Sequence, residues 1–178
     1  MTAADAPLPL TRGNPIGRLT DALFGWLPMS LAMLALRFAV AVPFWKSGMT
    51  KWDGFLTLSF GSQQLFVAEF KLHLFGGEFA FPFPETMATL SALGETVLPV
   101  LLVFGFATRY AALGILAMTA IIQLTVPDGW ANFHLPWAAM ALSIMTFGPG
   151  RIALDRLLGM ERVRVQGERR RATAEGPL

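Results

Sequence analysis

The chain has 178 residues, enough for one ordinary domain, of which 54% are hydrophobic and 15% charged, against roughly 25% charged in a soluble domain. A mean hydropathy of +0.52 with a formal net charge of +2 fits an integral membrane protein, and the basic residues sit at segment ends rather than in a nucleic-acid-binding patch. The absence of cysteine removes thiolate nucleophiles, dithiol chemistry, Cys-ligated iron–sulfur clusters and c-type haem attachment. The two histidines, His73 and His134, match no metal-ligand spacing, so no metal is expected.

Residues 1–27, with Arg12 and Arg18, are read as an N-terminal cytoplasmic segment. An apolar run follows, from about Pro28 to Gly48. Ala39–Val40–Ala41 mimics a small-residue cleavage site, but the run is too long for a signal peptide and carries Arg37 in its middle, so it is read as an uncleaved first span. The loop from Met49 to Glu85 is not plainly hydrophilic. Within "QQLFVAEFKLHLFGGEF", Phe66, Val67, Phe70 and Leu74 share a helical face, while Glu69 to Leu74 alternates as a strand would. A lone strand would leave its backbone unpaired at a membrane surface, so a short helix on the outer interface is the preferred reading.

Three more apolar segments follow, from about Thr86 to Ala107, Arg109 to Val126, and Asn132 to Phe147. The last is near the lower length limit for a span. Leu124 to Gly129 is a turn between the final two. Arg109 lies in the tight connection between the second and third segments, and Arg151, Arg156, Arg162, Arg164, Arg169, Arg170 and Arg171 follow the fourth. All basic-rich connections thus fall on one side, and the positive-inside rule puts both termini in the cytoplasm. The expected fold class is all-α: a four-helix transmembrane bundle over residues 28–156, with a long outer loop between helices 1 and 2. A basic, disordered cytoplasmic tail over residues 157–178 would rest on anionic lipid.

Ionisable residues inside a span cost about 2.5–3.5 kcal/mol each on insertion scales and usually pair inside the bundle. Arg37 lies about nine residues above the cytoplasmic end of its helix and Glu95 about twelve above the end of its own. At 1.5 Å per residue their heights differ by roughly 4–5 Å, which makes Arg37–Glu95 the natural pair. Pro99 removes the helical donor to the Glu95 carbonyl, and Pro43 does the same for Ala39. Two readings stay open: a structural clamp between kinked helices, or a polar site for a proton or a quinone headgroup.

A second polar group lies nearer the outer face: Lys46, Gln123 and His134, at the level of Trp45, Trp52, Trp130 and Trp137. It reads either as an interfacial aromatic belt with a snorkelling lysine or as a headgroup pocket in which His134 moves a proton. The catalytic candidates are therefore Glu95, Arg37 and His134. The cofactor-binding candidates are Lys46, Gln123, His134, Trp45 and Trp137. The nine methionines are scattered and read as core filler.

"LALRFAVAVPFWKSGMTKW", "LGETVLPVLLVFGFATR", "YAALGILAMTAI" and the closing "FGPGRIALD" together resemble the DoxX family of small four-helix bacterial membrane proteins, over roughly residues 30–156. The closing motif carries Ala153 where the family pattern has serine. Gly148, Pro149 and Gly150 end the fourth helix, since neither glycine nor proline continues one. Arg151 is placed to bond helix-end carbonyls, and with Pro99 these four are the structural candidates. Arg37, Lys51, Glu95, Arg109 and Arg151 fall on family-like positions. The resemblance implies the bacterial inner membrane and a redox setting, because the family is similar to the membrane subunit of a thiosulfate:quinone oxidoreductase. Quinone is the cofactor so implied. The lipid bilayer, an oxidoreductase partner and further copies of the chain are the expected contacts. The first reading is a membrane component of a quinone-linked system. The alternatives are a non-catalytic scaffold for a sulfur, oxidative-stress or metal-handling partner, and a permease, which with so few helices would have to oligomerise.

Overall fold

The computed structural model of the protein describes residues 28–160. The N-terminal segment and almost all of the basic tail expected from the sequence lie outside the described residues. The fold is mostly helical. Helix α1 (Met29–Met49) leads into a cap made of strands β1 (Trp52–Gly54) and β2 (Thr57–Leu58), helix α2 (Phe60–Gln64) with a π turn at Leu65–Glu69, and strands β3 (Lys71–Leu74) and β4 (Gly77–Ala80). Helices α3 (Pro84–Phe104) and α4 (Thr108–Thr125) follow. A tight turn and a π turn (Trp130–His134) then enter α5 (Leu135–Phe147), and α6 (Leu154–Leu157) closes the described chain.

Helices α1, α3 and α4 are each long and apolar enough to cross a membrane. Their outward faces carry large apolar side chains such as Phe38, Val97, Val100, Leu113 and Ile121, a surface that water disfavours and hydrocarbon does not. The fourth segment reaches 13 residues as an α-helix, extended toward the cap by the π turn. The bundle core is built from small and branched side chains, with Val40, Ala41, Leu102, Ala112, Ile115, Ala141 and Ile144 fully covered.

The long loop departs from the preferred reading. It contains the short helix, but also two antiparallel hairpins. The alternating stretch does form a strand, because Gly77–Ala80 supplies the partner that removes the unpaired-backbone objection, with Lys71 opposite Ala80 and Leu74 opposite Gly77. Phe75 and Gly76 make the turn, both at positive φ (51° and 80°), as a two-residue hairpin turn requires. Phe66 and Phe81 pack over Ala88, which seats the cap on the first turns of α3.

The α1–α3 register is fixed by one close approach. A Cβ at Gly48 would lie 2.8 Å from the Glu95 carbonyl oxygen, so the two backbones touch there. Pro99 deprives that carbonyl of its helical donor, and only a residue without a side chain fits against it. At the opposite end of the bundle Gly105 ends α3 at φ +69°, where a Cβ would sit 2.2 Å from Arg37 Nη1 and 2.6 Å from Ala153 Cβ. Gly105→Ala is therefore expected to destabilise the fold by about 2–4 kcal/mol through strain plus overlap. Gly61→Ala, in α2 with open space around it, should be neutral or stabilising by about 0.5–1 kcal/mol. Thermal melting in detergent of the two variants beside the parent checks both signs.

Candidate functional site

Glu95 is buried, at 4% exposure, but Arg37 does not answer for it. Lys51 does: its Nζ stands 3.3 Å from Glu95 Oε2. Ser91, one turn earlier on the same face of α3, donates to Oε1 at 3.0 Å. The expected Arg37–Glu95 pair fails for two reasons. The Gly48 contact places Glu95 opposite residue 48 of α1, eleven positions beyond Arg37, or about 16 Å along the axis. Helical side chains also lean toward the N-terminus of their own helix. The two helices run antiparallel, so Glu95 leans toward the cap and Arg37 away from it.

Lys51 is brought to Glu95 by the chain leaving α1. Its N–H donates to the Gly48 carbonyl at 3.0 Å, and its own carbonyl accepts from Ser59 N–H at 2.9 Å. The neighbouring Trp52 indole donates to Thr96 Oγ1 at 3.0 Å, pinning the first hairpin to α3. Glu95 Oε2 has no directed hydrogen bond of its own. The contact with Lys51 is ionic, and the oxygen retains an acceptor site.

This ion pair forms the polar part of a cavity of about 340 Å³ between α1, α3, α4 and α5, with the cap over it. Phe66, Phe70 and Phe81 come from the cap, Phe44 from α1, and Trp137 from α5. Apart from Lys51, Glu95, Ser47, Ser91 and Thr125, the lining side chains are apolar or aromatic. A site of this volume, apolar with a few convergent polar groups, has the character of a small-molecule pocket.

The second polar group is partly assembled. His134, buried, has Nδ1 2.6 Å from Gln123 Oε1. Gln123 Nε2 donates to the Pro127 carbonyl at 3.1 Å. That second bond fixes the amide, so Gln123 presents its oxygen to the ring and His134 Nδ1 carries a proton. Trp137 lies against the His134 ring at 5.5 Å and against Phe44 at 5.0 Å, which links the dyad to the cavity wall. Lys46 and Trp45 do not join it. Lys46 is exposed at the end of α1, and Trp45 lines a shallow apolar groove with Phe38, Val42 and Val103 on another face.

At the far end, Arg37 is 1% exposed and donates to the Ile152 carbonyl at 2.6 Å. Asp155 accepts from the Ala107 and Thr108 N–H groups at 2.6 and 2.8 Å, and its own N–H donates to the Gly105 carbonyl at 2.8 Å. A carboxylate on the first N–H groups of α4 is favoured by the helix dipole. The closing motif is thus a clasp, with Gly148 and Gly150 at positive φ turning the chain back. The helix-end carbonyl bond expected of Arg151 is made instead by Arg109, which donates to Met145, while Arg37 bonds the Ile152 carbonyl in the segment beyond α5. Arg151 contributes its backbone N–H, to Ser30 Oγ at 3.2 Å. Sequence reasoning missed Lys51 as the partner of Glu95, the aromatic roof of the cavity and the capping role of Asp155. Ser91, four residues before Glu95, was a legible signal.

A model of the DoxX family matches residues 32–128. An uncharacterized protein of Haemophilus influenzae is 29% identical over 152 residues, covering 79% of this chain and 91% of that protein. No solved structure matches.

Lys51→Met leaves the buried Glu95 carboxylate without its ion and should cost on the order of 3–5 kcal/mol. The double variant Lys51→Met/Glu95→Leu, which removes both charges, should recover most of that loss. A double-mutant cycle is expected to give a coupling of about 0.5–3 kcal/mol for Lys51 with Glu95 and close to zero for Arg37 with Glu95. Chemical denaturation in mixed micelles measures both couplings, and the reverse order would restore the Arg37 pairing.

Proposed function

The chain belongs to the DoxX family of membrane proteins, and from that premise we propose that it is the membrane-embedded component of a quinone-linked redox system in the bacterial inner membrane. Its integral membrane character follows from the family and from its apolar helices. In this reading Trp130–Phe147 is a shorter fourth span, both termini face the cytoplasm, and the cap lies on the outer side. Arg109 in the first turn of α4 and the arginines that follow α5 support that orientation.

One observation carries the reading: an apolar, aromatic-roofed cavity, set among spanning helices, with a buried ammonium–carboxylate pair in its wall. A quinone held there supplies two-electron, two-proton chemistry, with the electrons coming from an external reductant or a partner oxidoreductase. Lys51 donates to a headgroup oxygen. Glu95 holds or releases a proton at Oε2. Phe66, Phe70 and Phe81 exclude outer water. His134, held by Gln123 and touching Trp137, stands one aromatic ring away from the cavity as a second group able to carry a proton.

The protein purified in mild detergent from its native membrane is expected to yield about one quinone per chain on organic extraction, and Lys51→Met/Glu95→Leu is expected to yield less than a tenth of that. Absence of quinone from the parent, together with no quinone-dependent oxidation of an added reductant, removes this reading. A second reading, a non-catalytic scaffold, is favoured by the exposed tips of the two hairpins, where Phe55 is 94% exposed beside Leu56, and Phe75 is also exposed. Recovery of a stoichiometric soluble partner that is lost on Phe55→Ser/Phe75→Ser would support the scaffold.

A further inference from the structure

The walls of the cavity are not equally closed. Helices α3 and α4 meet tightly in the middle of the bundle: Met118 Sδ rests 2.7 Å from where a Cβ would stand on Gly94, and Leu98 Cδ1 lies 2.8 Å from the same point on Gly114. These two contacts set the register, in which 94 faces 118 and 98 faces 114. One turn nearer the cap the same register brings Leu90 and Ser91 opposite Ile121 and Ile122. All four line the cavity, and Leu90 and Ile121 are also 55% and 48% exposed. The α3–α4 seam is shut at its middle, and toward the cap Leu90 and Ile121 both border the cavity and reach the lipid-facing surface.

The polar end has its own specificity. Ser91 occupies Glu95 Oε1, and Lys51 neutralises the carboxylate. What remains is one buried acceptor, Oε2, beside an ammonium with donors to spare. A ligand hydroxyl satisfies both, accepting from Lys51 and donating to Glu95. An anionic headgroup would add an unmatched charge to an already neutral pair in a low-dielectric wall, which is strongly disfavoured.

We propose that the cavity is loaded sideways from the bilayer through the seam between Leu90 and Ile121, and that it takes an uncharged, hydroxyl-bearing amphiphile whose headgroup lies on the Lys51–Glu95 pair while its tail trails through the seam into lipid. The inference rests on the cavity being a ligand site, as in the proposed function, but not on any electron transfer.

The test uses the full chain in lipid nanodiscs and a redox-inert probe, a long-chain alkylphenol with a photoreactive diazirine in its tail. Saturable labelling is expected on the Leu90 and Ile121 peptides. Leu90→Trp/Ile121→Trp, which plugs the seam without touching the ion pair, should lower it at least tenfold. Lys51→Met/Glu95→Leu, which leaves no unpaired charge, should also lower it at least tenfold while melting close to the parent and well above Lys51→Met alone. Unlabelled alkylphenol should compete, and an alkyl phosphate of equal chain length should not. Labelling spread evenly over all the lipid-facing helices, no saturable labelling, or equal competition by the phosphate overturns the proposal. Specific seam labelling in a protein without quinone chemistry leaves it standing while removing the redox reading. Bound quinone that is indifferent to the seam plug removes the lateral route alone.

Discussion

The Lys51–Glu95 ion pair is the interaction on which the cap half of the molecule depends. A carboxylate on a membrane helix has no water to turn to, so its counter-ion must come from the chain itself. Here it comes from the first residues beyond α1 rather than from within a span. Lys51 cannot reach Glu95 unless the chain turns over α3 directly on leaving α1. That turn fixes the first hairpin, sets Trp52 on Thr96, and positions α2 to place Phe66 over the cavity. The Gly48 contact serves the same end, since it brings the end of α1 to the level of Glu95 and lets the two backbones touch where Pro99 has freed a carbonyl.

The opposite end of the bundle solves the same electrostatic problem differently. Arg37 is as buried as Glu95, but it bonds a main-chain carbonyl and feels the Asp155 carboxylate without a direct bridge. Asp155 spends its own oxygens on the N-terminus of α4. The result is a clasp joining the beginning of α1, the α3–α4 turn and the segment after α5. Its parts satisfy one another's backbone groups and leave little room for a ligand. The two buried charges that the sequence presents as partners thus anchor separate ends of the bundle, one closed and one hollow.

Much of this was legible in the sequence, and the misses have physical causes. Apolar periodicity and length located α1, α3 and α4 to within about three residues of their observed limits, because a bilayer imposes a length that composition reveals directly. The closing Gly-Pro-Gly likewise marked the end of α5, since glycine and proline act locally. The Arg37–Glu95 pairing failed because heights were counted from the span ends as though the helices were flush, when α1 is offset against α3 by the Gly48 contact. That stagger is a tertiary fact with no local signature. The hairpin β3–β4 was missed because a strand was judged alone, although Gly76–Gly77 carried the turn signal that provides its partner. Gln123 and His134 were grouped correctly from their shared level. Lys46 and Trp45 were not separable from them by level alone, because level says nothing about which side of a helix faces the core.

That distinction also bears on which features of the site are chemical and which architectural. A helix clamp needs complementary charges and close packing, and nothing more. The clasp around Arg37 and Asp155 also leaves Arg37 Nε and Nη1 without hydrogen-bond partners, but it is enclosed among the turns it holds, and neither residue lines the cavity. The Lys51–Glu95 pair exceeds what a clamp needs. A clamp would be better served by filling the space around the ions, because every unsatisfied acceptor in a dry wall costs stability. Instead the pair borders a cavity roofed by aromatic side chains, and Glu95 Oε2 has no directed hydrogen bond from the protein. Stability alone does not account for leaving such a space beside a buried charge. The proposed ligand would give that space a use by completing the acceptor at Glu95 Oε2.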